Sequence, residues 1–177
     1  MMITSNEKKS VIYQYKDTSD LTVRQADLSD LEPLIMIRME TLNEVFNLKM
    51  PEDQALYDVL KKENLDYFRK HLADHTLVFG LAYVQGNLAA AGAVIFHHEL
   101  PSPDNINGNC AYLMNIFTRR KYRHLGIGSL IVNWLVEKAR QRDIEKIYLE
   151  TTESGRRLYE QSGFIDYKDM MIYQEKR

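Results

Sequence analysis

Between residues 110 and 142 the chain reads CAYLMNIFT, then RRKYRHLGIG, then SLIVNWLVEKARQR: a strand-like run, a basic turn closing in Gly-x-Gly, and an apolar helical run. In the last of these, Leu130, Ile131, Trp134, Leu135 and Ala139 recur at helical spacing, which predicts a helix from about Gly128 to Arg142. A strand that feeds a glycine turn and then a helix sets both kinds of element side by side. It also leaves the first N–H groups of that helix, at the positive end of its dipole, beside a backbone bare of Cβ atoms. Such a place collects an anion.

The flanking segments supply the rest of the layers. DLTVRQADLSDL begins as a short strand at Leu21 and Val23 and offers Ser29 or Asp30 as an N-cap. The helix that follows runs on Leu31, Leu34, Ile35, Ile37, Met39, Leu42, Val45 and Phe46 and ends near Asn47. Pro51 starts a second helical pattern through Leu56, Val59, Leu60, Leu65, Phe68 and Leu72. From His75 the period becomes that of a hairpin, two apolar runs around Gln85-Gly86-Asn87. PSPDNINGN is loop chemistry, KIYLETT a strand, SGRRLYEQSG a short helix stopped by Gly163, and FIDYKDMMIYQE a closing strand. The expected order is β-α-α-β-β-β-α-β-α-β in one domain over residues 21–177, with residues 1–20 an arm or an extra edge strand.

At 177 residues and 45% hydrophobic content the chain can bury a core, and its length suits one domain. A net charge of −2 argues against general attraction to nucleic acid or an anionic membrane, so basic function is local to the turn. Cys110 is the single cysteine, which excludes an internal disulfide and any cysteine-based metal spacing, and fits a reducing cytoplasm. No apolar run reaches the roughly 20 residues of a membrane span, and the N-terminus does not read as a signal peptide.

Three phosphate-binding patterns compete for the turn. A P-loop needs Lys after its last glycine, and none follows Gly126 or Gly128. A dinucleotide fingerprint needs a third glycine where Ile131 stands. The remaining pattern, Arg123-x-x-Gly126-x-Gly128, resembles the pyrophosphate signature of the GNAT superfamily of acyl-CoA-dependent N-acetyltransferases, and LYEQSGF at 158–164 resembles the second motif of that family. The element order is similar too. The resemblance implies an α/β (α+β) fold with a mixed, mostly antiparallel sheet splayed between two adjacent parallel strands, flanked by helices. It implies acetyl-CoA as co-substrate, its pyrophosphate wrapped by the amides of Arg123, His124, Leu125, Gly126, Ile127, Gly128 and Ser129, and its pantetheine arm paired with Ile116, Phe117 and Thr118. Arg119, Arg120, Lys121 and Arg123 are candidates for the nucleotide phosphates.

Acyl transfer to an amine needs a deprotonated acceptor, oxyanion stabilisation and a proton for the departing thiolate. The resemblance assigns the proton donor to Tyr159. Glu99, His97, His98, Glu150 and Glu153 remain open as the base. His97 and His98 lie on opposite faces of a strand, which argues against a metal. Asn115 either orients substrate or satisfies a backbone group, the second being favoured. Where the family often has a cofactor-contacting asparagine, seven residues before the tyrosine, this chain has Thr152; Gly155 stands where alanine is common. The acceptor, a small-molecule or peptide amine, is shaped in the family by segments corresponding to NEVFNLKMPEDQ and HHELPSPDNINGN. The carboxylates Glu40, Glu44, Glu52 and Asp53 cluster near the first of these and suit a cationic amine. A homodimer follows family habit. The alternatives are a catalytically silent acyl-CoA-binding sensor or assembly module, and a nucleic-acid binder using RRKYRH, which the acidic total disfavours.

Overall fold

The computed structural model describes residues 11–15, 18–49, 51–167 and 170–173. Six strands form one sheet in the order β1 (Val11–Tyr15), β2 (Thr18–Gln25), β3 (Leu77–Val84), β4 (Asn87–His98), β5 (Asn109–Thr118) and β6 (Lys146–Leu149). All neighbours are antiparallel except β5 and β6. The edge strand β1 carries part of the segment expected as arm or extra strand; residues 1–10 and 16–17 lie outside the described residues.

Helices α1 (Leu31–Phe46) and α2 (Gln54–Ala73) cover one face of the sheet, and α3 (Ile127–Arg140) and α4 (Glu153–Gln161) the other. The first core joins Leu34, Ile37, Leu42 and Phe68 to Phe79, Leu81 and Ala93; the second joins Ile127, Ile131, Trp134 and Leu135 to Val23, Val94 and Leu113. Asp30, one of the two expected positions, is the N-cap of α1, but its side chain makes no capping bond to that helix. A 3₁₀ turn, Leu28–Asp30, precedes α1, and Asp27 caps this turn by accepting from the Ser29 amide at 2.8 Å. Asp30 reaches back to the Asp27 amide and pairs with Arg24 at 2.7 Å. The added turn moves the capping hydrogen bonds toward the N-terminus.

Close packing of α3 on the sheet depends on two cross-strand glycines, Gly80 and Gly92. A Cβ at Gly80 would stand 2.8 Å from the Trp134 ring, and one at Gly92 2.5 Å from Ile131 Cγ2 and 2.7 Å from Ile116 Cδ1.

Two irregularities shape the end of β5. Ala91 pairs with Phe117 but Ala93 with Met114, so β5 carries one extra residue against β4, a bulge at Asn115 with φ 54°. Pairing with β6 runs only from Cys110–Lys146 to Leu113–Leu149, after which the parallel strands separate. Residues 114–118 therefore keep β4 on one side and present an open backbone edge on the other.

The expected closing strand is not formed by residues 164–167 and 170–173; residues 168–169 and 174–177 lie outside the described residues. Gly163 turns the chain at φ 90° and Phe164 packs on Tyr159 with ring centroids 6.0 Å apart. Beyond it Ile165, Tyr167, Met170 and Ile172 are exposed. Strand periodicity yields a strand only where a ladder partner is met, and the described residues of this stretch make none.

Candidate active site

At the end of β5 a 3₁₀ turn, Arg120–Tyr122, leads to His124 and Gly126, both left-handed with φ 63° and 76°. Gly126 is the N-cap of α3, a backbone conformation that glycine adopts without the steric cost of a Cβ. Among the described residues, none of the amides of His124, Leu125, Gly126, Ile127, Gly128 and Ser129 donates to a protein acceptor; the first helical bond is Leu130 N–H to Gly126 C=O at 3.1 Å. Successive free amides bent by left-handed residues form an anion-binding concavity, and the helix dipole adds to it. A Cβ on Gly128 would lie 3.5 Å from Thr118 Oγ1 and 3.6 Å from Leu158 Cδ1, so the turn, the end of β5 and α4 converge.

The basic side chains of the turn point elsewhere than expected. Arg119 grips Glu40 of α1 through two bonds of 2.8 and 2.6 Å and donates to the Leu88 carbonyl at 2.8 Å. Arg123 donates to the Thr118 carbonyl at 2.9 Å and to Glu44 at 2.5 Å, while Arg120 stands 3.5 Å from Glu44. Arg119 and Arg123 thus tie the turn to α1, and the two glutamates expected to attract a cationic acceptor are matched by arginines. Asp53 accepts from the Lys49 amide at 2.5 Å, closing the turn before α2. A cavity of about 470 Å³ between α1 and the turn is lined by Glu40, Glu44, Phe117, Arg119 and Arg120.

Tyr159 lies on the inner side of α4, half-buried, in a groove of about 950 Å³ that also contains Tyr148, Glu150 and Thr151. Burial, with the Tyr112 phenol adding to it, raises its pKa, so the phenol holds its proton at neutral pH. Thr152 is the exposed N-cap of α4, with its hydroxyl 3.0 Å from Ser154 Oγ. The space beside Gly155 is taken by its own chain, since a Cβ there would stand 2.8 Å from Thr151 Oγ1 and 3.3 Å from the Tyr159 ring.

The base candidates separate. Glu99 is bonded to Lys146 at 2.6 Å and to Asn105, contacts that hold its carboxyl below the usual range. Glu153 is exposed, 3.8 Å from Arg156. His97 Nε2 lies 2.9 Å from the Tyr148 hydroxyl, and Glu150 adds to burial in raising the Tyr112 phenol pKa. Among the described residues no group of three or more His, Cys, Asp or Glu could hold a metal, and no helix is long and apolar enough to cross a membrane.

The side chain of Asn115 does not serve a backbone group. Its Oδ1 accepts from Arg38 Nη1 at 2.9 Å, and Arg38 Nε donates to Asn64 Oδ1 at 2.9 Å. Sequence reasoning missed Arg38 because it stands on a helix as one charged residue among many. Its partners lie far along the chain.

An open strand edge leading into free amides at a helix start is the frame in which the comparisons fall. The Acetyltransferase (GNAT) family model matches residues 40–164. The chain belongs to this family. GNAT membership supports acetyl transfer as its general chemistry, and the sheet with its parallel β5/β6 pair is the GNAT fold. A predicted acetyltransferase from Clostridium acetobutylicum, solved with acetyl-CoA, is 28% identical with a TM-score of 0.76, over 87% of this chain and 96% of that one. A GCN5-related N-acetyltransferase from Ralstonia eutropha JMP134 is 21% identical with a TM-score of 0.74, over 87% and 98%. Glucosamine-6-phosphate N-acetyltransferase from Arabidopsis thaliana shares the fold at 16% identity and a TM-score of 0.61, over 89% and 100%. No curated protein matches the sequence.

Proposed function

We propose that this GNAT protein transfers the acetyl group of acetyl-CoA to a primary amine, with Tyr159 as general acid. The observation that carries the reading is the run of amides from His124 to Ser129, free among the described residues, at the end of an open strand edge. The amides receive the pyrophosphate, and the edge of Ile116, Phe117 and Thr118 receives the amide groups of the pantetheine arm as an added strand would. The acetyl thioester then lies toward the bulge at Asn115. The amine nitrogen attacks the carbonyl carbon, the C–S bond breaks as the tetrahedral intermediate collapses, the thiolate takes the Tyr159 proton, and the proton lost by the nitrogen passes to water, from which the Tyr159 phenolate is reprotonated. The raised pKa of Tyr159 suits this role, because a phenol that stays protonated can donate as charge grows on sulfur.

The test is calorimetric titration with acetyl-CoA, followed by turnover with an amine library read by mass spectrometry. Binding together with acetylated product is the expected result. Binding without product from any amine would instead favour an acyl-CoA sensor.

A further inference from the structure

Resting on this reading of the cleft, the α1/α2 face of β5 carries information about the acceptor. Arg38 is half-buried between α1, α2 and β5, with Asn64 and Asn115 as its hydrogen-bond partners. Arg24, Arg119, Arg123 and Arg156 are each bound to a carboxylate, whereas among the described residues none pairs with Arg38. Burial lowers its pKa, offset in part by the Tyr67 phenol, yet a guanidinium starts so far above neutrality that it stays charged. Of the roughly five N–H donors of a guanidinium, two are engaged by asparagine oxygens, leaving three. Beside them Asn115 Nδ2 is buried with no partner among the described residues. The cluster is rich in donors, short of acceptors and positively charged. It sits at the bulge, just past the last β5/β6 rung and within the start of the open edge.

A partly desolvated cation beside an unsatisfied amide is completed by an oxyanion, which supplies both acceptors and counter-charge. We infer that the acceptor is an amine bearing an anionic oxygen group, carboxylate or phosphate, held by Arg38 and Asn115 so that its amino group faces the thioester. The guanidinium fork reads either group through paired bonds.

The test uses matched probes: phenylalanine against phenylalaninamide, and O-phosphoethanolamine against ethanolamine, with thiol release from acetyl-CoA as the readout. The anionic member of at least one pair should show kcat/KM higher by about tenfold or more, as expected for charge-assisted bonds, and the two pairs separate carboxylate from phosphate. In Arg38→Gln the advantage should vanish through KM, with acetyl-CoA affinity unchanged. Equal use of neutral and anionic amines would overturn the inference while leaving acetyl transfer intact. An even fall in kcat for every amine would do the same, assigning Arg38 to the oxyanion of the intermediate. Loss of acetyl-CoA binding by the wild type would instead condemn the parent reading. Should no probe turn over, N-acetylphenylalanine and phosphate titrated onto the CoA-saturated protein decide: binding abolished in Arg38→Gln, or in Asn115→Ala if the first variant does not fold, supports the site, and unaltered or absent binding refutes it.

Discussion

The turn into α3 and the α1/α2 face of β5 lie a few residues apart on one strand and are built from different materials. The turn offers backbone: six amides free among the described residues, two left-handed residues and side chains drawn away toward α1. The opposite face offers side chains, Arg38, Asn64 and Asn115, brought together across separations of 26 and 77 residues. In the proposed reading the backbone-built site receives what the whole family shares, since its recognition needs only amides in a fixed arc. A side-chain-built site can change with single substitutions, which suits the half of the reaction where substrates differ.

The sharpest way to break this contrast is Tyr159, the general acid of the proposed reaction. Tyr159→Phe keeps the ring packed on Phe164 and removes the proton. The expected outcome is a fall in kcat of about 10²–10⁴-fold with acetyl-CoA affinity nearly unchanged, measured by steady-state kinetics beside titration. Near-normal kcat with chemistry rate-limiting would reduce Tyr159 to packing and leave the thiolate to be protonated by water.

Next comes the backbone side alone. Gly126 has φ 76°, where a β-branched residue is strained by about 1–2 kcal/mol, and Gly126→Val also puts a side chain into the arc of amides. Acetyl-CoA affinity should fall by about tenfold to a hundredfold for each amide bond lost, given the worth of hydrogen bonds to charged groups. A folded variant that binds normally would remove the arc from the cofactor site.

The same division explains what the sequence reveals. The turn is legible because glycines at a fixed spacing state a local backbone requirement, and the helices and central hairpin are legible because their periods are local as well. Asn115 and Arg38 are not. Nothing within a helical turn of Arg38 marks it off from Arg69 on α2 or Arg140 on α3, and Asn64 and Asn115 reach it only through the packing of α2 and the bulge in β5. The pairing of Glu40 and Glu44 with Arg119 and Arg123 is hidden for the same reason, so a list of carboxylates reads as an attracting patch until the fold supplies the cations. The end of the chain errs in the other direction. FIDYKDMMIYQE has strand composition, but composition does not create a ladder partner for Ile165 or Ile172.

A smaller effect tests whether the two regions share one support. Gly92 pairs across from Gly80 and faces Ile116, Ile131 and Leu135, so Gly92→Ala forces a methyl within 2.5–2.9 Å of three side chains that hold the open end of β5 against α3. Overpacking of this kind costs about 1–3 kcal/mol, read as a lowered midpoint in urea unfolding. If acetyl-CoA affinity falls with stability, the strand edge and the helix are positioned together; if stability alone falls, the arc of amides is self-supporting.

The smallest effect concerns the ties between turn and α1. The Arg123 guanidinium at 2.5 Å, outweighing the opposing effect of burial, holds the Glu44 carboxyl below the usual carboxylate range, with Arg120 helping. A carboxyl whose pKa is depressed by folding stabilises the native state above its unfolded pKa, near ~4.3, and that contribution is lost as pH falls through the lower folded value. The pair is partly exposed, so its worth is about 1 kcal/mol or less. Unfolding midpoints of the wild type should therefore drop toward those of Glu44→Gln as pH is lowered from about 5 to 3, because the glutamine variant has no charge there to lose. Parallel pH profiles for the two proteins would mean that Glu44 contributes nothing through its charge. The turn would then keep its place by the bond from the Arg123 side chain to the Thr118 carbonyl and by the bidentate grip of Arg119 on Glu40.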